Sequence, residues 1–156
     1  MDGDLWHGGL VARLSPPLRT KLLAMAHSFH YDSGQWIFRE GDPSRHFYVV
    51  KSGHVALEAS LGEGEPGVFM MVAPGDCFSW SALLESPVET ASARAVEDVE
   101  VLGIESRALQ DLCWAEPNWG VELHRKVLQL VSERLIATRK QLSDVDSATV
   151  AKEMSR

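Results

Sequence analysis

The side chains able to do chemistry are few and scattered. Cys77 and Cys113 lie far apart and match no zinc-binding spacing. Two such cysteines form no disulfide framework, so a reducing, intracellular setting is expected. His27 and His30 stand three apart near the end of what reads as a helix, where they would share a face. A third ligand is missing, so no metal is assigned. No Gly-rich phosphate loop, Ser-His-Asp set or paired carboxylates stand out, so no catalytic residue is assigned and the chain reads as a non-enzyme. What remains is a group of hydroxyls, Ser79, Ser81, Thr90 and Ser92, with the indole of Trp80 among them. That set could hold a neutral or weakly charged small ligand. The plainer alternative is that Trp80 plugs the space and the hydroxyls satisfy local backbone.

The scaffold for these groups is small. The 156 residues make one domain, and 45% of them are apolar, enough for a real core. Lys and Arg number 15 against 22 Asp and Glu, a net charge of −7. Such a chain lacks the general attraction that drives nucleic-acid binding. The start, Met1-Asp2-Gly3-Asp4, lacks the basic region of a signal peptide. The longest apolar runs, such as Val68 to Ala73, fall far short of the roughly 20 residues that cross a bilayer. A soluble, cytoplasmic protein is expected.

Three zones follow along the chain. Residues 11–30 read as a helix: Ser15 can cap it, Pro16-Pro17 suit its first turn, and Leu18, Leu22, Met25, Ala26 and Phe29 recur at helical spacing. Residues 31–105 alternate short apolar runs with glycine-containing breaks, about ten residues apart, the signature of an all-β barrel or sandwich. The runs are Trp36–Phe38, Phe47–Val50, Val55–Leu61, Val68–Val72 and Val99–Ile104. Phe47 to Val50 is apolar at both parities and should be covered on both faces. In the Lys51–His54 turn, Gly53 is free to take positive φ. Residues 106–145 return to helical periodicity. Ser106 begins a short helix carrying Leu109, Leu112 and Cys113, and Pro117 opens a longer one. Val121, Leu128, Leu135 and Leu142 repeat every seven residues along it, followed three later by His124, Val131, Thr138 and Val145. A seam of Val121, Leu128, Val131, Leu135, Thr138 and Leu142 suits a parallel homodimer, the alternative being packing on its own barrel. The tail 146–156 is expected to fray.

The punctuation is specific. Tyr31-x-x-Gly34-x-x-Ile37-Phe38-x-x-Gly41-Asp42, then Phe47-Tyr48-x-Val50-x-x-Gly53-x-Val55, then Pro74-Gly75-Asp76-x-Phe78, closely resembles the cyclic-nucleotide-binding domain. That family includes the sensor domains of catabolite activators (CRP/FNR), protein kinase A regulatory subunits and cyclic-nucleotide-gated channels. The resemblance spans about residues 11–145. It implies a mainly β fold with flanking helices: a β-roll of the jelly-roll type, an N-terminal helix and a long C-terminal helix, making one domain over 1–145.

The resemblance also implies a ligand site. In the family a short helix and loop between two strands form a phosphate-binding cassette. Backbone N–H groups hold the cyclic phosphate, a Glu takes the ribose hydroxyl, an Arg pairs with the phosphate, and the long helix covers the base. On this chain the cassette falls on Phe78-Ser79-Trp80-Ser81-Ala82 through Glu89-Thr90-Ala91, with Thr138 at the long-helix position that contacts the base. Trp80 then stands where the ribose Glu belongs, and Glu89 where the phosphate Arg belongs. Arg94 is the nearest other arginine, and only a shifted loop would bring it back to the phosphate. Ser79 and Ser81 are expected to cap the short helix.

The expectation is a non-catalytic regulatory or sensor domain that does not bind cAMP or cGMP in the family's usual mode. The alternatives are an adaptor or dimerisation domain with a dead pocket, and a cAMP-binding regulator if the register shifts. A haem sensor, with axial ligands from His7, His46, His54, His124 and Cys77, is a further class, but no cofactor is assigned. Cupin-type metal binding needs a His-x-His, which His54 lacks. The chain ends about ten residues after the long helix, so no helix-turn-helix is expected to follow and no direct DNA reading. Arg125, Lys126, Arg134, Arg139 and Lys140 read as the helix's solvated face. A homodimer, with a protein partner as a second outlet, completes the expectation.

Overall fold

A computed structural model describes residues 9–60 and 64–155. The expectations attached to His7, Leu61, Gly62 and the side chain of Val145 lie outside what it describes.

The N-terminal region departs from the expected single helix over 11–30. It is two helices, α1 (Gly9–Arg13) and α2 (Pro16–Met25), followed by a strand, β1 (His27–Tyr31). Pro16 and Pro17 do open α2, but Ser15 does not cap it. Its hydroxyl and backbone N–H both go to Glu122, each at 2.7 Å. The stretch His27–Tyr31 is a strand because it pairs along its length with β8 (Val99–Glu105). There its period-two pattern turns Phe29 and Tyr31 onto one face. Tertiary pairing overrides a helical spacing that stops mattering at Ala26, whose ψ of 146° is extended.

The other strands are β2 (Trp36–Phe38), β3 (His46–Ser52), β4 (Val55–Ala59), β5 (Gly67–Val72), β6 (Cys77–Phe78) and β7 (Ser92–Ala95). They make two four-stranded antiparallel sheets, ordered β1-β8-β3-β6 and β2-β7-β4-β5. Between the sheets lies one core, including Tyr48, Val50, Val55, Leu57, Phe78 and Val101. A second core lies under the helices, where Phe47, Val49 and Ile104 meet Leu10, Leu18, Leu109 and Leu123. Strand β3 feeds both, as its apolar run at both parities requires. Gly53 takes φ 81°, and a Cβ there would stand 2.5 Å from the Asp98 carbonyl oxygen.

Helices α3 (Ser106–Ala115) and α4 (Pro117–Met154) follow β8. α4 does not stop at 145: the next nine residues hold no Gly or Pro, and Ala, Lys, Glu and Met favour continuing. α4 carries two apolar stripes. Leu123, Val127 and Leu130 are buried against the chain's own helical core. Val121, Leu128, Leu135 and Leu142 are exposed, Leu128 at 68%. No described helix is long and apolar enough to cross a membrane.

Candidate functional site

The cassette begins at the turn Pro74-Gly75-Asp76 and enters β6, whose Phe78 points into the inter-sheet core and stacks on Tyr48 at 5.0 Å. The next residue, Ser79, has φ 66° and ψ 48°. This is left-handed backbone that costs a non-glycine residue about 1–2 kcal/mol. It reverses the chain into a single 3-10 turn, Trp80–Leu83. Ser79 does not cap this turn. Its hydroxyl donates instead to Glu89 Oε1 at 2.5 Å, and lies 3.0 Å from the hydroxyl of Ser44. Ser79 has one proton and gives it to Glu89, so Ser44 is the donor in the second bond.

Glu89 is therefore the accepting end of a buried polar chain, Ser44–Ser79–Glu89. All three residues are buried, Glu89 at 4% exposure. The backbone locks the same place: Glu89 N–H donates to the Asp42 carbonyl and Gly41 N–H to the Glu89 carbonyl, both at 2.8 Å. Burial pushes the Glu89 carboxyl up from its ordinary range; the hydroxyl side of the site, Ser79 with Ser44 behind it, pulls the other way, and Asp42 adds to the rise. Arg94 is held elsewhere. It sits in β7 opposite Trp36 and Ala56, and its guanidinium donates to Glu58 at 2.9 Å. So the loop sets Glu89, not Arg94, against Ser79.

Trp80 turns to the other side of the cassette from Phe78 and packs on the helical core. Its indole N–H points at Cys77 Sγ, 3.3 Å away. Arg134 of α4 covers the ring at 4.9 Å, donates to the Cys77 carbonyl at 3.0 Å and approaches Asp76 at 3.9 Å. The reading of Arg134 as part of a solvated face is therefore corrected: its side chain is only 14% exposed. Its position four residues after Leu130 and seven after Val127, on the buried stripe's own face, is the signal that finds it. The cassette is also tied to α3, where Ser106 Oγ and Gln110 donate to the Ala82 carbonyl at 2.6 and 2.9 Å.

The remaining expected site residues divide. Ala82 is fully buried, Ser81 and Ala91 half-buried, and Thr90 exposed. Ser92 accepts a bond from Glu40 N–H at 2.8 Å. The hydroxyl of Thr138 is turned back on its own helix, donating to the Arg134 carbonyl at 2.8 Å. Within the expected dimer seam, Val131 and Thr138 are half-buried, and Val131 packs against the chain's own core.

The described histidines stand apart from one another. His27 and His30 sit on β1 three residues apart, hence on opposite faces of the strand, not on one helix face. His30 instead lies 3.7 Å from Asp32, and with Asp98 forms an exposed trio whose ligand atoms fall within 4.8 Å of one another. His54 bonds Glu97 at 2.6 Å and His124 the Gly120 carbonyl at 2.7 Å. Burial pushes the Cys77 thiol up to about 11, which makes it a poor thiolate ligand.

A family model for the cyclic nucleotide-binding domain matches residues 28–115. A CRP-like cAMP-activated global transcriptional regulator of Mycobacterium tuberculosis is 23% identical over 145 residues, covering 93% of this chain and 63% of the relative. A cAMP-dependent protein kinase regulatory subunit of Colletotrichum orbiculare is 35% identical over 103 residues, covering 66% of this chain and 26% of the relative. Among solved structures, the catabolite activator protein of Thermus thermophilus superimposes with a TM-score of 0.69 at 27% identity, covering 91% of this chain and 62% of that one. The chain thus spans less than two thirds of these proteins' lengths.

Proposed function

The chain belongs to the cyclic nucleotide-binding domain family, and from that premise we propose that it is a non-catalytic regulatory module whose cassette does not take cAMP or cGMP in the family's usual mode. One observation carries this: Glu89, buried and bonded to Ser79, occupies the place that the resemblance gives to the phosphate arginine. A charge-assisted bond contributes about 1.5–3 kcal/mol, so losing the arginine alone weakens a phosphate ligand roughly 10- to 100-fold. A carboxylate in its place adds like-charge repulsion. Trp80 likewise replaces the ribose carboxylate and lies under Arg134.

The module acts as a homodimer through the exposed stripe Val121, Leu128, Leu135 and Leu142. Four aliphatic side chains at heptad spacing on one helix face are what a parallel pair buries. Signalling would shift α4 against the roll, a population shift between two packings, with Arg134 as the link to the cassette. A net charge of −7 gives the chain no general affinity for nucleic acid. A cytoplasmic setting suits two free cysteines.

A second reading is an adaptor with a closed pocket; Trp80 packed against the helical core favours it. Calorimetric titration with cAMP of the natural protein and of a Trp80→Glu, Glu89→Arg double variant decides. The expected result is silence from the natural protein and binding by the variant. Binding by the natural protein at micromolar level or better overturns the proposal. Silence from both variants moves the assignment to the adaptor.

A further inference from the structure

A groove lined from β1, β2 and β3 shares Glu89 with the cassette but is otherwise unused by the reading above. Its volume is about 470 Å3, inside the roughly 300–1,000 Å3 typical of small-ligand sites. Its walls are aromatic. Tyr48 meets Phe29 edge-on at 6.3 Å and stacks on Phe38 at 6.2 Å, and Tyr31 lines the same space. Its acidic groups are Glu89 and Asp42.

Glu89 is the unusual member. Buried carboxylates are ordinarily paired with a cation. Among the described residues Glu89 is in no salt bridge; hydroxyls alone serve it, and its neighbouring charge is another acid, Asp42. The other titratable groups of the groove do not supply the missing charge. The His46 imidazole is driven toward its neutral form by burial, and Arg45 and Asp42 are both exposed and offset one another, which leaves Glu89 as the one buried charge of the groove. Aromatic faces carry negative potential and attract cations desolvated against them. Walls and acids therefore select the same sign of ligand.

We infer that this groove binds a small organic cation: a protonated amine on a flat apolar body, with the ammonium at Glu89 and Asp42 and the body along Phe29, Phe38 and Tyr48. The inference rests on the reading above, because Glu89 serves both places, and it reverses the charge of the ligand; the cAMP titration and the amine titration fail separately. Ser79 joins the two places, since its hydroxyl is bonded to Glu89 and its backbone turns the cassette.

Tryptamine and indole-3-acetate are the probes: nearly the same flat body with opposite charges. Calorimetric titration of the natural protein at neutral pH is expected to give one tryptamine site per chain, with indole-3-acetate at least about tenfold weaker. Glu89→Gln, checked for folding by circular dichroism, is expected to weaken tryptamine by at least about tenfold. Asp42→Asn, on an exposed loop, gives the same direction if the Gln variant does not fold. No heat from tryptamine at millimolar concentration overturns the inference. So does equal binding of the two probes, or undiminished binding in a folded Glu89→Gln protein.

Discussion

Removing Arg134 should cost far more than removing an ordinary helix-surface arginine. Its guanidinium donates to the Cys77 carbonyl at 3.0 Å and lies 4.9 Å over the Trp80 ring, with 14% of the side chain exposed. A charged donor on a carbonyl contributes about 1.5–3 kcal/mol, and a largely desolvated cation–π contact about 0.5–2 kcal/mol. The Asp76 contact at 3.9 Å is marginal in geometry and adds little. Freeing the long side chain returns up to about 2 kcal/mol of rotamer entropy. The net for Arg134→Ala is about 2 kcal/mol, near a 30-fold shift in the unfolding equilibrium. Denaturant melts at one fixed protein concentration measure it. Arg134→Lys should recover little, because an ammonium is a point charge and cannot both stack and reach the carbonyl. A double-mutant cycle with Trp80→Leu should give a coupling of about 0.5–2 kcal/mol. A loss under about 0.5 kcal/mol, or no coupling, would refute the geometry and return Arg134 to the solvated face.

Three further outcomes are expected. Leu128→Glu places a charge in the exposed α4 stripe and should shift a dimer toward monomer in sedimentation, leaving the fold intact; an unchanged sedimentation profile removes α4 as the interface. Glu89, raised by burial, keeps its proton in the folded chain at pH values where the unfolded chain has lost it. Its stabilising contribution is thus present at acid pH and lost as pH rises through the folded value. Relative to Glu89→Gln, the natural protein should lose melting temperature from mildly acidic to neutral pH, and parallel curves would contradict this. Gly103→Ala puts a Cβ 2.7 Å from the Phe29 ring and 3.1 Å from that of Tyr48, so it should destabilise by about 1–3 kcal/mol in denaturant melts.

The sequence determined the roll. Its spaced glycines, the two-parity apolar run at Phe47–Val50 and the helical zone after Ser106 all fall where the structure puts them. Such features are local: turn geometry demands glycine, and a strand covered on both faces demands apolar residues throughout. The exposed heptad stripe of α4 was legible for the same reason.

Other features belong to the tertiary structure. His27–Tyr31 carries helical spacing and strand alternation together, and only pairing with β8 selects the strand. β7 reads Ser-Ala-Arg-Ala, with little strand preference; Ala93 and Ala95 are small because the space between the sheets is already filled. The cassette residues were named from type and position; their bonds were not legible there. Ser79 serves Glu89 instead of a helix cap, and Thr138 serves its own helix. Arg134, among solvated charges in the sequence, lies mostly covered over Trp80. A side chain's partner depends on segments tens of residues away, such as Ser44 beside Ser79 or α4 over the cassette. Sequence spacing sets which face a residue shares; the folded packing sets what that face meets.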